Sequence, residues 1–424
     1  MTNVIFHPFT PNGVIPAPPS KSDVHRAVIC AALSKGRCTV SPVALSEDIQ
    51  ATIRCVEALG AKTAVAGDTL TVDGTHLFEN KTAVLDCRES GSTLRFLIPV
   101  AAAGNVEATF IGSGRLPERP IGIYTEALPE KGVTCRTKGG LPLQIGGRLQ
   151  SGVYRIPGNV SSQFITGLLF ALPLLEGDSD IILTSPIQSA GYINMTIRTM
   201  SKFGIEVDMT DKGWHIRGKQ HYIPTDYTTD GDWSQAAFFL AAGAIGGDVT
   251  VTGCNIDSSQ GDRRIAALLR EFGAEVHQDG GTVTVKKAPL SAITIDASQI
   301  PDLVPVLAVC ACFADGVTQI TNAARLRIKE SDRLKTTAAL LNALGGKVSE
   351  LPDGLAVTGV RRLCGGAVDG CNDHRIVMAA ATCAAGCEGA LTCTDAWSVN
   401  KSYPDFYRDY QKICGDCSLL SKED

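Results

Sequence analysis

The stretch Asp232–Thr252, DWSQAAFFLAAGAIGGDVTVT, contains a start, a body, a stop and a turn into a strand. Asp232-Trp-Ser-Gln235 reads as a capping box, in which short polar side chains satisfy the free N–H groups at the start of a helix. It opens a helix over Ala236 to Ile245, and Gly246-Gly247 ends that helix. Asp248 to Thr252 then alternates polar and apolar residues with the period of a strand. Farther on come a loop at Ser258–Asp262 and a helix from Arg263 to Phe272, with Ile265, Leu268, Leu269 and Phe272 on one face. Gly273 stops that helix, and two strands follow, joined by a turn at Asp279-Gly-Gly281.

This unit recurs along the chain. First helices end at Gly36, Gly104, Gly177, Gly247, Gly316 and Gly389, at intervals of 68 to 73 residues. Second helices end at Gly60, Gly132, Gly204, Gly273 and Gly345, at intervals of 69 to 72. Two interleaved series with one period define a repeat. First helices are expected to begin near Ser20, Ser90, Ser161, Asp232, Pro301 and Asn372, and second helices near Ser46, Arg119, Ser189, Asp262, Ser331 and Tyr403. The sixth copy runs out after its second helix, while residues 4–15 are left over in front of the first. The N-terminal strands are therefore expected to complete the sixth unit. Six units divide most simply into two lobes of three, residues 1–19 with 231–424 and residues 20–230, with ligands in a cleft between them.

Bulk properties narrow the function. The 424 residues, 44% of them hydrophobic, can bury a large core, and a net charge of −5 disfavours a non-specific grip on nucleic acid. The longest apolar run, around Leu303 to Ala314, contains Pro305 and falls short of a bilayer span, so no membrane partner is expected. The first residues lack the basic and apolar regions of a signal peptide. Fifteen cysteines, an odd number, suit a reducing compartment, and a cytoplasmic monomer is the expectation. Cys414 and Cys417 form a lone C-x-x-C without a second pair at zinc-ligand spacing. No metal is expected from these spacings.

Charged and hydroxylic residues gather at helix starts in several copies: Lys21, Ser22 and Arg26; Glu89 to Arg95; Arg115 to Arg119; Ser161 to Gln163; Ser189 and Tyr192; Asp302; Arg327 to Arg333; Asn372 to Arg375; and Lys401. Helix N-termini favour anions, and arginine grips phosphates and carboxylates through paired hydrogen bonds. Taken singly, each has an ordinary explanation. Ser20, Ser92 and Ser161 can be caps, while Arg119 and Arg333 can pair with neighbouring Glu118 and Asp332 at the surface. Recurrence at one structural position argues instead for a binding surface for small polyanionic substrates.

In order along the chain, Pro19-Ser-Lys-Ser-x-x-x-Arg26, Gly91-Ser-Thr-Leu-Arg95, Glu118-Arg-Pro-Ile121, Val160-Ser-Ser-Gln-Phe164, Lys329-Glu-Ser-Asp-Arg-Leu334 and Asn372-Asp-His-Arg375 together resemble the 5-enolpyruvylshikimate-3-phosphate (EPSP) synthase family. The resemblance implies a two-lobed, inside-out α/β barrel of six βαβαββ repeats, three per lobe. It implies transfer of the carboxyvinyl group of phosphoenolpyruvate to the 5-hydroxyl of shikimate 3-phosphate, in aromatic amino acid biosynthesis. By this resemblance Lys21, Ser22, Arg26, Ser161, Ser162, Gln163, Ser189, Tyr192, Asp302 and Lys329 hold shikimate 3-phosphate. Lys21, Gly91, Arg119, Gln163, Arg333, His374, Arg375 and Lys401 surround phosphoenolpyruvate. Asp302 looks like the base, Glu330 and Lys21 the candidates for proton delivery, and Lys401 a further catalytic cation, in a scheme that requires neither a metal nor an organic cofactor.

Some positions depart from the family pattern. Glu89-Ser-Gly-Ser-Thr-Leu-Arg-Phe96 stands where many members read Asn-Ala-Gly-Thr-Ala-Met-Arg-Pro, and Glu89 is expected to point away or be neutralised by Arg88. Gly91 leaves room for glyphosate, the family's phosphoenolpyruvate mimic, while Glu89, Ser92 and Phe96 leave sensitivity open. Ala323 and Ala324 replace an expected Asn, so that contact is either missing or supplied by Asn322. Related folds offer two alternatives. UDP-N-acetylglucosamine carboxyvinyltransferases carry a reactive cysteine in the loop that reads Gly112 to Glu118 here, without cysteine. RNA terminal-phosphate cyclases should show a basic surface.

Overall fold

The computed structural model describes residues 2–420. Each repeat builds a four-stranded sheet. In the third, the strand Val153–Ile156 lies parallel to Ser179–Leu183, which runs antiparallel to Gly213–Ile216, itself antiparallel to Asp208–Thr210. The helices Ser162–Ala171 and Ala190–Lys202 fill the connections, giving the order βαβαββ. Six sheets with this arrangement, plus one two-stranded ribbon, occur among the described residues.

The chain divides into two compact units. One is Pro19–Thr229; the other takes the stretch through Pro18 and everything from Asp230. In the first, the helices Lys21–Leu33, Gly91–Ala103 and Ser162–Ala171 are buried almost throughout. In the second, Trp233–Gly246, Val304–Cys312 and His374–Cys383 pack against one another in the interior. That explains their composition, since a helix without a solvent face has no use for a polar stripe. The sheets show alternating burial, as in Asp248–Thr252, with one face on the core and the other toward water. The second helices are amphipathic. Ile265–Phe272 buries Ile265, Leu268, Leu269 and Phe272, and Gly273 (φ +109°) closes it in the left-handed conformation that glycine adopts without strain.

Helix starts fall where the sequence puts them, at Lys21, Gly91, Ser162, Trp233, Pro301 (as a 3-10 turn) and His374. Asp232 caps through the Gln235 N–H at 3.1 Å. The capping box is not reciprocal, because both polar atoms of the Gln235 side chain are buried without a hydrogen bond.

The N-terminal strands part company. Asn3–His7 sits in the middle of the sixth sheet, antiparallel to Leu391–Cys393 on one side and Asp416–Leu420 on the other. Asn12–Pro16 does not join it, contrary to expectation. It lies parallel to Asp248–Thr252 and supplies the first strand of the fourth repeat. The two-residue strand Tyr227–Thr228 does the same for the first repeat, pairing with Val40 and Ser41. Both polypeptide crossings between units therefore leave from a first strand and enter the first helix of a different repeat.

Phe6 anchors the N-terminal strand. It is fully buried, with its ring 6.2 Å from that of Tyr407 and 5.5 Å from that of Tyr410. Phe6→Leu is expected to cost about 1–2 kcal/mol through lost aromatic packing. Chemical denaturation of the variant checks this, and an unchanged midpoint would show that the strand is peripheral.

All fifteen cysteines are free thiols, most of them buried; burial pushes Cys310 and Cys312 up to about 12. Cys414 is exposed, with Sγ 3.4 Å from the Asn12 carbonyl oxygen. No helix among the described residues is long and apolar enough to cross a membrane.

Candidate active site

In the unit containing residues 19–229, the polar helix starts form two linked groups. Lys21 opens its helix and pairs with Asp48 at 2.7 Å. Arg26, one turn past Ser22, donates to the Ser22 carbonyl (2.6 Å), the Tyr192 carbonyl (2.9 Å) and Thr196 Oγ1 (2.8 Å). Its guanidinium lies 5.2 Å from the Phe96 ring centre and 5.9 Å from that of Tyr192. Burial lowers its pKa to about 10, against the pull of Asp23 and its other neighbours. Ser189 sits just before the helix Ala190–Lys202 in a left-handed conformation (φ 57°) and is buried. Tyr192, in that helix's first turn, ties the third repeat to Arg26 of the first.

The other group joins repeats two and three. Gln163 Oε1 accepts from Arg95 at 2.7 Å, and its amide donates to Ser92 Oγ at 3.0 Å. Ser161 caps the helix through the Gln163 N–H (3.3 Å), and Ser162 is its first residue. Gly91 lies against Arg119: a Cβ at 91 would stand 2.7 Å from both terminal nitrogens of that guanidinium. The glycine is therefore needed for close approach. Burial, with Arg119 nearby, holds the Arg95 pKa well below the usual arginine range.

In the other unit, Arg333 is the hub. Nearly inaccessible to solvent, its guanidinium meets Asp373 at 2.8 Å, Asp302 at 3.0 Å and Glu330 at 3.3 Å. Burial opposes its charge, yet Asp373, Glu330 and Asp302 together raise its pKa. Asp373 is fully buried; desolvation disfavours its charge, and Arg333 overrides this and lowers its pKa. Asp302 also faces Arg375 (3.4 Å) and Lys329 (3.9 Å). His374 Nδ1 is 2.7 Å from Glu330, and Lys401 donates to the Asn372 carbonyl at 2.6 Å. Glu330, Asp373 and His374 bring potential metal-ligand atoms within 4.8 Å of one another. The Arg333 guanidinium already contacts both carboxylates there, so the local cation is a side chain.

Most of the residues named from the sequence thus lie at or beside a helix start, whereas Lys401 ends the 3-10 turn Ala396–Lys401, and within each unit the structure brings several into direct contact. Arg333 does not pair with Asp332, which caps its own helix through Lys335 N–H and binds Arg327. Of the serines read as caps, Ser161 acts as one, Ser92 instead accepts from Gln163, and Ser20 makes no cap hydrogen bond. Arg88 pairs with Asp86 (3.2 Å), not Glu89, whose carboxylate lies against Gly114. Asn322 lies beside Asp296 and, after the Ser298 N–H, helps hold that carboxylate below its usual range.

Four supporting residues escaped sequence reading: Asp48, Ser234 (which accepts from Arg375 at 3.0 Å), Ser331 (2.9 Å from Asp373) and Asp373 itself. Ser331 and Asp373 carried a signal, the first as an expected helix start and the second at a helix cap directly before His374 and Arg375.

A family model for EPSP synthase (3-phosphoshikimate 1-carboxyvinyltransferase) matches residues 10–410. The chain belongs to the EPSP synthase family. Among curated members, the 3-phosphoshikimate 1-carboxyvinyltransferase of Clostridium acetobutylicum is 45% identical over 422 residues, covering 98% of each chain. The enzyme of the same name from Clostridium novyi is 43% identical over 426 residues, again covering 98% of each chain. The family's fold is equally evident in solved structures. An EPSP synthase from Acinetobacter baumannii superposes with a TM-score of 0.83 at 23% identity, covering 99% of this chain and all of that one. The enolpyruvyl transferase NikO from Streptomyces tendae gives 0.80 at 18% identity, covering 99% of this chain and 98% of that one.

Proposed function

We infer that the protein transfers the carboxyvinyl group of phosphoenolpyruvate to the 5-hydroxyl of shikimate 3-phosphate, giving 5-enolpyruvylshikimate 3-phosphate and phosphate. The observation that carries the reading is Asp302, a carboxylate at a helix start facing Arg333, Arg375 and Lys329 in a member of this family. A base placed among cations suits a reaction in which a hydroxyl loses its proton while negative groups crowd around it.

In this reading Asp302 takes the 5-hydroxyl proton as that oxygen bonds to the central carbon of phosphoenolpyruvate, and the methylene carbon gains a proton from Glu330 or Lys21. The tetrahedral adduct then loses a methyl proton and expels phosphate, with the C–O bonding electrons leaving on phosphate. Arg119, Arg333, Arg375 and Lys401 balance the charge that develops, with His374 beside Glu330. Ser161, Ser162, Gln163, Ser189, Tyr192, Ser22, Arg26 and Lys329 hold the shikimate phosphate.

A coupled phosphate-release assay tests this. Release is expected with phosphoenolpyruvate plus shikimate 3-phosphate, and not with UDP-N-acetylglucosamine, with RNA 3′-phosphate ends or in buffer alone. Release with the amino sugar, or none with any acceptor, would overturn the assignment.

Gly91→Ala is expected to displace the Arg119 guanidinium, since a Cβ 2.7 Å from its nitrogens is closer than real contacts allow and the far end of a flexible side chain is what gives way. The KM for phosphoenolpyruvate should rise about tenfold, equivalent to about 1.4 kcal/mol, with little change in that for shikimate 3-phosphate. Steady-state kinetics with each substrate varied would show it, and an unaltered phosphoenolpyruvate KM would remove Arg119 from that subsite.

A further inference from the structure

A buried hydrogen-bonded line that the mechanism does not use crosses three helices. His25 Nδ1 is 2.7 Å from Thr52 Oγ1, which is 2.7 Å from Thr93 Oγ1, which donates to Ser90 Oγ at 2.8 Å. All four residues are at most 1% exposed. A hydroxyl has one proton to give. Thr93 spends its proton on Ser90, so it accepts from Thr52. Thr52 has then spent its own and accepts from His25. The imidazole is therefore protonated on Nδ1, and Nε2 is a bare nitrogen, buried and without a hydrogen-bond partner.

The placement gives the line its meaning. Lys21–Asp48 and His25–Thr52 are two rungs between the same pair of helices, Lys21–Leu33 and Glu47–Ala58, one turn apart on each. Thr93 and Ser90 extend the second rung to the start of the helix Gly91–Ala103, which Ser90 caps through the Thr93 N–H at 3.2 Å. Gly91, next in the chain, is in contact with Arg119. Apolar packing alone tolerates small slides between helices, whereas a satisfied buried polar line fixes one register.

We propose that the His25–Thr52–Thr93–Ser90 line is a positioning device that sets the Gly91 helix start and Arg119 relative to Lys21, and thereby the affinity for phosphoenolpyruvate. The proposal rests on the function inferred above. These residues touch no substrate and act through Lys21 and Arg119.

Thr52→Val removes the central hydroxyl at nearly constant shape, and Thr52→Ser restores it. Thr52→Val is expected to raise the phosphoenolpyruvate KM about tenfold, in proportion to one lost buried hydrogen bond, with kcat and the shikimate 3-phosphate KM changing less than threefold. Thr52→Ser should return the KM to near the wild-type value. Independently of activity, nitrogen-15 spectra of the histidine-labelled wild type at neutral pH should show His25 protonated on Nδ1 and bare on Nε2. A folded Thr52→Val enzyme with a lowered Tm but an unchanged phosphoenolpyruvate KM would reduce the line to a stability element, and an Nε2–H tautomer would refute the line itself. Absence of any shikimate-dependent turnover in the wild type would instead count against the inferred function, and the imidazole spectrum would still decide whether the line exists.

Discussion

Asp302→Asn is expected to lower kcat by about 10²–10⁴-fold, the range over which a positioned general base acts. Asparagine keeps the size and can still accept hydrogen bonds from Arg333 and Arg375, but it cannot take a proton from the 5-hydroxyl. Arg333 retains Asp373 and Glu330, so the fold should survive. Shikimate 3-phosphate should still bind, as ligand-induced fluorescence or calorimetry would register. A variant that turns over at the wild-type rate would remove Asp302 as the base and leave it as a partner for the surrounding cations.

The second large effect falls on Asp373, which touches no substrate in the inferred mechanism. Asp373→Ala strips Arg333 of its closest partner while the guanidinium stays buried, and breaking such a pair from one side costs about 3–5 kcal/mol. The change also deletes the cap of the helix that carries His374 and Arg375, and the acceptor of Ser331. Stability and phosphoenolpyruvate turnover should therefore fall together. Asp373→Asn keeps the shape, the cap and one acceptor for Arg333, and should lose less of both. Denaturation midpoints and kinetics on the pair would show the order, and an Asp373→Ala protein as stable and active as the wild type would mean that Arg333 holds its place without it.

Much of this fold is legible in the sequence because its signals are local. Helix stops such as Gly273, caps such as Asp232 and Ser161, and the alternation of Asp248–Thr252 depend on near neighbours, and six copies repeat them. The fate of Asn12–Pro16 was not legible. A short strand carries no mark of its partner, so nothing local separates completing the sixth sheet from opening the fourth. Tyr227–Thr228 shows the same limit at two residues' length.

The site divides along similar lines. Residues at helix starts could be named from position and chemistry. Their supports could not, because Asp48, Ser234 and Ser331 become partners of Lys21, Arg375 and Asp373 only through packing between helices distant in sequence. The surface pairing of Arg333 with Asp332 failed for the same reason: the neighbouring Asp332 caps the helix and binds Arg327, while Asp373, distant in sequence, holds the arginine. Nor could sequence reveal that Ser92 orients Gln163, since a serine at a helix start reads first as a cap.

The claim beneath all of this is that Asp302 and the cations gathered around it act on phosphoenolpyruvate and shikimate 3-phosphate. A crystal structure with shikimate 3-phosphate and an unreactive phosphoenolpyruvate analogue tests it most directly. The expected result is Arg333, Arg375 and Lys401 within hydrogen-bond distance of the analogue, and the Asp302 carboxylate within hydrogen-bond distance of the 5-hydroxyl. An analogue that touches none of these cations, or an Asp302 carboxylate turned away from the 5-hydroxyl, would contradict the account.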